Sequence, residues 1–336
     1  MLPIQDVRHP DPTALAEAVA EVRPVVLRGW AEGWPAVQAG RTGAEAVSAY
    51  LSAMDQGLVA EAFRGPPEIG GRFFYGSGLK GFNFTRGPMT VSAVLEELAA
   101  LAASPSPPAL YMGAAPMGRS LPSFTAANPA YDLPDHAVPR LWLGNAVTVQ
   151  THYDLSDNLA CVVAGSRTFT LYPPEQTPNL YVGPLEFTLA GQPVSLVDPL
   201  APDLDRFPRF AQAQEHALTV TLDPGDALYI PSLWWHHVRS HDPLNVLVNY
   251  WWNAGPALAG SPFEALIHAL LAIRHLPPER RAPWKAIFDH YVFEADDQTH
   301  AHIPDQARGA VGELTPAMAR TLRAFVIGSL SRHRDA

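Results

Sequence analysis

Three short stretches place a histidine two residues before an aspartate: His9-Pro10-Asp11, His152-Tyr153-Asp154 and His333-Arg334-Asp335. On a strand, residues i and i+2 point to the same side, so such a pair offers an imidazole and a carboxylate to one metal ion. Two imidazoles and one carboxylate on one face of an iron leave three positions open for a bidentate cosubstrate and oxygen. With 13 histidines in the chain the spacing recurs by chance, so its surroundings decide. The first and third copies lie near the chain ends, where order is hardest to hold. His152 and Asp154 instead follow the β-prone run Val147-Thr148-Val149-Gln150-Thr151. A second imidazole is on offer in Trp234-Trp235-His236-His237-Val238. Neighbouring strand residues face opposite ways. His236 shares its side with Val238, whereas His237 shares its side with Arg239 and His241, which makes His236 the inward one.

The elements that must position these residues read as a β core between two mixed or helical regions. From about residue 140 to 252, short runs rich in Val, Leu, Thr and Tyr are separated by Gly, Pro, Asn and Asp, the texture of a sandwich or barrel. Leu159 to Val163, the turn Ala164-Gly165-Ser166 and Thr168 to Tyr172 together predict a hairpin. Leu218 to Leu222, the turn Asp223-Pro224-Gly225-Asp226, Ala227 to Ile230 and Val246 to Trp252 predict further strands. The stretch from Gly183 to His216 has little periodicity and reads as a long covering loop. Upstream, Leu15 to Val22 and Val91 to Ala103 predict helices and Val25 to Arg28 a buried strand. The Pro-rich segment from Ser104 to Pro108 separates residues 1–109, supporting elements, from a core over 110–256. Residues 257–336 read as helical, opened by Ser261-Pro262-Phe263-Glu264, an N-cap with proline at the first position. The apolar faces of these helices pack either on the core or on a second subunit.

Composition narrows the classes. With 336 residues, 23 Lys+Arg against 33 Asp+Glu, and a net charge of −10, the chain is a poor candidate for nucleic acid. No run is long and apolar enough for a membrane helix. One cysteine, Cys161, excludes an internal disulfide, and a reducing, cytoplasmic address is the expectation.

The order and spacing of His152-Tyr153-Asp154, Asn158, Gly165, Arg167, Leu171-Tyr172-Pro173-Pro174, Pro224-Gly225-Asp226-Ala227-Leu228-Tyr229-Ile230-Pro231, Trp234-Trp235-His236-His237 and Asn249-Tyr250-Trp251 resemble the cupin-like branch of the JmjC-type iron(II) and 2-oxoglutarate oxygenases. The pattern is similar to the hypoxia-inducible factor asparaginyl hydroxylase and to bacterial cupin-like proteins, and it spans roughly residues 110 to 252. The resemblance implies a mainly β fold with flanking helices: a double-stranded β-helix (cupin or jelly-roll) core plus a C-terminal helical segment that dimerises.

It further implies Fe(II) held by His152, Asp154 and His236, with 2-oxoglutarate and O2 as cosubstrates. Arg167 stands where the family usually carries a lysine for the distal carboxylate, and a guanidinium grips such a group bidentately. Tyr111 falls where the family places a hydroxyl on the same carboxylate. Asn158 and Asn249 match polar positions near metal and cosubstrate. Val149 occupies the place of a family threonine, for which Thr148 or Thr151 is a substitute. The implied activity is hydroxylation of an amino-acid side chain in a protein, peptide or small molecule, by an enzyme that binds neither nucleic acid nor membrane. The alternatives are a metal-binding cupin without 2-oxoglutarate chemistry, and a non-enzymatic binding module, against which the intact Asp154 speaks.

Overall fold

The computed structural model describes residues 4–332 apart from His9, Asp11 and Ala257. The terminal His-x-Asp copies at His9 and His333 therefore fall outside the described residues. The chain separates into two compact units, Met1–Asn253 and Ala254–Ala336. No helix among the described residues is long and apolar enough to cross a membrane.

The first unit holds two sheets. Its strands are β1 (Gln5–Arg8), β2 (Val25–Arg28), β3 (Ala60–Gly65), β4 (Thr85–Met89), β5 (Ala109–Pro116), β6 (Val138–Gly144), β7 (Thr148–His152), β8 (Asp157–Ala164), β9 (Arg167–Tyr172), β10 (Leu218–Leu222), β11 (Ala227–Ile230), β12 (Trp235–Ser240) and β13 (Asn245–Trp252). Nine form a large sheet in the order β1-β2-β11-β8-β13-β6-β5-β3-β4, and four form a small one in the order β10-β9-β12-β7. All pairs are antiparallel except β1 with β2.

β8 shows why the run is continuously apolar. Every one of its residues is buried. Leu159, Cys161 and Val163 join the core shared with helices Pro35–Thr42, Ala44–Ser52 and Val91–Leu101. Ala160 and Val162, on the other side, join a second core with Phe169, Leu171 and Val238 of the small sheet. A strand covered on both faces has no position left for polar alternation.

The expected hairpin of β8 and β9 does not form. β8 pairs with β11 and β13, while β9 pairs with β10 and β12, so the turn at Gly165 carries the chain from one sheet to the other. Gly165 has φ 70°, and a Cβ there would lie 2.4 Å from Asn245 Oδ1. A tight left-handed turn serves a crossing as well as a hairpin, and only the partners further along the chain choose.

In the second unit, helix Pro262–Ala272 begins at Ser261, whose hydroxyl accepts the Phe263 amide at 3.3 Å. Helices Pro278–Phe288 and Pro316–Arg332 follow. Much of their apolar surface is open to solvent, including Leu271 at 68% exposure and Phe325 at 71%.

Candidate metal centre and its two cavities

β7 and β12 are neighbours in the small sheet, and their register sets His236 directly opposite His152. The ring centroids lie 4.2 Å apart. Asp154 follows two residues after His152, where its carbonyl accepts the Leu233 amide at 2.9 Å and so ties the loop to the approach of β12. His236 Nε2 stands 3.7 Å from Asp154 Oδ2. One donor atom from each of the three residues falls within 4.8 Å of the other two.

The protonation state suits a metal. His152 Nδ1 is 2.9 Å from the Gln150 carbonyl, and His236 Nδ1 is 3.0 Å from the Trp234 carbonyl. An Nδ1–H donated to a carbonyl leaves Nε2 as a free lone pair, the arrangement typical of metal-ligating histidine. Burial, and then the neighbouring charge of His152, bring His236 down to about 4, so its imidazole is neutral at pH 7. Asp154 is buried at 7% exposure. A buried carboxylate beside the neutral imidazole of His236 gets no countercharge from it, and a divalent cation supplies one. Two nitrogens, one oxygen and open positions fit iron(II). His237 is buried as well, but on the opposite side of β12, where Asp198 and Arg72 are its charged neighbours.

Behind the triad lies a small pocket of about 40 Å³. Its cation is Arg167, the first residue of β9, only 2% exposed. The Tyr111 hydroxyl lies against the guanidinium, and burial, offset in part by that cation, pushes the phenol up to about 12. Burial lowers Arg167. Among the described residues its Nε has no partner, and its contact with the Trp142 carbonyl is long, 3.5 Å. A guanidinium sealed from water without a carboxylate is costly unless an anion enters.

The large sheet contributes a relay of hydrogen bonds to the same pocket. Trp142 Nε1 donates to Asn249 Oδ1 at 2.6 Å, Asn249 Nδ2 to Asn158 Oδ1 at 2.9 Å, and Asn158 Nδ2 to Asp154 Oδ2 at 3.3 Å. The two asparagines thus orient the carboxylate of the triad. Trp142 is absent from the sequence-based candidates. The period-two pair Arg140 and Trp142 in Val138–Gly144 was its one signal, and a single such pair is weak.

In front of the triad is a larger cavity of about 410 Å³. The two cavities share Tyr111, Trp142, Val149, His152 and Asp154. Phe63, Phe73 and Phe84 form its aromatic wall, with centroids 5.3 to 6.0 Å apart. Leu189 and Val194 of the long loop cover it. That loop is fastened beside the metal ligands: Gln150 Nε2 donates to the Ser195 and Val197 carbonyls at 2.8 and 2.7 Å, and the Ser195 amide to Thr151 O at 2.8 Å. Thr148 lines this outer cavity and not the inner pocket; Thr151 lines neither, whereas Val149 lines both.

Comparison with known proteins agrees with this geometry. A family model described as a cupin-like domain matches residues 11–257. HSPB1-associated protein 1 from Homo sapiens is 41% identical over 113 residues, 33% of this chain and 22% of the relative. The bifunctional peptidase and (3S)-lysyl hydroxylase JMJD7, also from Homo sapiens, is 37% identical over 144 residues, 37% of this chain and 44% of the relative. tRNA wybutosine-synthesizing protein 5 from Gallus gallus is 32% identical over 146 residues, 39% and 43% of the two chains. In each case the chain spans less than half of the relative.

Proposed function

The chain belongs to the cupin-like domain family, and from that membership we propose that it is an iron(II)- and 2-oxoglutarate-dependent oxygenase that hydroxylates an amino-acid side chain of a protein, peptide or small molecule. The observation that carries the reading is Arg167: a cation with no acidic partner among the described residues, buried in the same small pocket as a His-Asp-His triad. The (3S)-lysyl hydroxylase activity in the name of one relative fits hydroxylation.

In this reading His152, Asp154 and His236 hold iron(II), which when bound supplies the oxidative decarboxylation of 2-oxoglutarate that drives C–H hydroxylation. Arg167 grips the distal carboxylate of the cosubstrate, and the Tyr111 hydroxyl donates to it. Asn158 fixes Asp154 by its hydrogen bond, itself held through Asn249 and Trp142. The loop strapped across Gln150 and Thr151 keeps water from the reacting centre.

The test is an anaerobic titration of 2-oxoglutarate into iron(II)-loaded protein, followed by the visible charge-transfer band of a bidentate complex. A saturable band is expected. In Arg167→Met the half-saturation should rise roughly a hundredfold, the cost of leaving one member of a buried charge pair alone. Iron binding without any band would mark a cupin of different chemistry.

The exposed apolar faces of the C-terminal helices, with Leu271, Trp284 and Phe325, support a homodimer through that unit. Its mass in solution should be that of two chains and should halve in Leu271→Asp/Phe325→Asp.

A further inference from the structure

The outer cavity contains a charge that nothing in the proposed chemistry uses. Arg140 lies on β6 directly opposite Asn249 of β13, on the face that also carries Trp142. Among the described residues it has no hydrogen-bond or ion-pair partner, and its Nε is buried and unmet. Trp251, two residues beyond Asn249 and on the same face of β13, holds a second buried donor, Nε1, that is also unmet. Both side chains line the cavity. The remaining ionisable side chains of its wall, apart from Tyr111 against Arg167, are committed elsewhere. His152 and Asp154 belong to the metal set, and Glu61 is paired with Arg86 at 3.5 Å.

We propose that the outer cavity takes a carboxylate-bearing substrate whose anion is received by Arg140, with the Trp251 N–H as the second donor, while Phe63, Phe73 and Phe84 cover an apolar body. The proposal rests on the oxygenase reading, since it places that substrate beside the proposed iron. A guanidinium left without an internal acid is complementary to an external one. The same charge disfavours a lysine or arginine side chain, which would meet a like charge. A volume of about 410 Å³ admits a group of amino-acid size.

The probes are 3-phenylpropionate and its neutral amide, 3-phenylpropanamide, titrated into the 336-residue chain loaded with manganese(II) and 2-oxoglutarate and followed by quenching of tryptophan fluorescence. The acid should bind at least about tenfold tighter than the amide, as for one charge-assisted hydrogen bond. Arg140→Gln should abolish the preference, Arg140→Lys should keep part of it, and Trp251→Phe should reduce it by a smaller factor. Arg140→Gln should retain 2-oxoglutarate affinity, because Arg140 does not line the inner pocket. Conversely, Arg167→Met should weaken 2-oxoglutarate binding and spare the acid preference. Displacement of the probe by N-acetylated amino acids indicates a terminal carboxylate, and by a blocked peptide with one glutamate a side-chain carboxylate.

Equal binding of acid and amide, a preference that survives Arg140→Gln, or displacement by neither competitor would overturn the assignment. Failure to load 2-oxoglutarate is a separate result that removes the oxygenase reading. The acid-against-amide comparison, repeated on unloaded protein with both arginine variants, then still decides Arg140.

Discussion

The small and the large sheet contribute different things to one site. In the proposed reading the small sheet supplies the groups that hold metal and cosubstrate: His152 at the end of β7, Arg167 at the start of β9 and His236 on β12, with Asp154 just beyond β7. In the same reading the large sheet supplies groups that orient the metal set or add contacts to the ligands: Tyr111 on β5, Arg140 and Trp142 on β6, Asn158 on β8, Asn249 and Trp251 on β13. On the small sheet, positions follow from backbone register, since His236 sits across from His152 by ladder pairing. On the large sheet they depend on side-chain hydrogen bonds that reach across the gap, from Trp142 through two asparagines to Asp154.

The largest expected effect breaks the small-sheet set. Asp154→Ala should abolish iron-dependent turnover while the metal-free protein keeps or gains thermal stability, because a buried carboxylate without a cation is removed; turnover retained in that variant would contradict the division. The next concerns the connection of the sheets. Gly165→Ala should cost roughly 2 kcal/mol or more in urea unfolding, since it forces a side chain into a left-handed turn and against Asn245. An unchanged midpoint would mean that the crossing is not held by that turn. The smallest tests the large-sheet set. Tyr111→Phe should weaken 2-oxoglutarate about fivefold to tenfold, the loss of one hydrogen bond to a charged partner, without moving iron affinity. An equal loss for both ligands would place Tyr111 in the metal set instead.

Much of the site was legible because it is local. The His-x-Asp spacing brings His152 and Asp154 together within three residues, although β7 ends at His152 and the loop carries Asp154, and the parity of His236 against Val238 and Arg239 selects the inward histidine without reference to any other strand. Helix Pro262–Ala272 was legible through Ser261, a cap whose partner is two residues away. In the aromatic run Phe73-Phe74-Tyr75 with Phe82 and Phe84, Phe73 and Phe84 are buried and also form the cavity wall, so the same rings serve core and cavity. The hairpin expected of β8 and β9 failed because a turn at Gly165 carries no record of which strands lie beside it. Arg140 is not legible in the sequence for a related reason, since a lone arginine between Pro139 and Leu141 carries no short-range mark of the cavity that the chain closes around it.

The sequence by itself determined what repeats at short range: the strand texture, the metal-ligand spacing, the helix cap and the cation two residues after the Gly165 turn. Tertiary structure alone decided which sheet each strand joins, that Arg167 and Arg140 are both without acidic partners among the described residues, and that one faces the inner pocket and the other the outer cavity. The physical reason is that period and capping depend on neighbours along the chain. The partners of a buried charge come from strands as far apart as β5 and β13, and their absence is a property of the assembled interior.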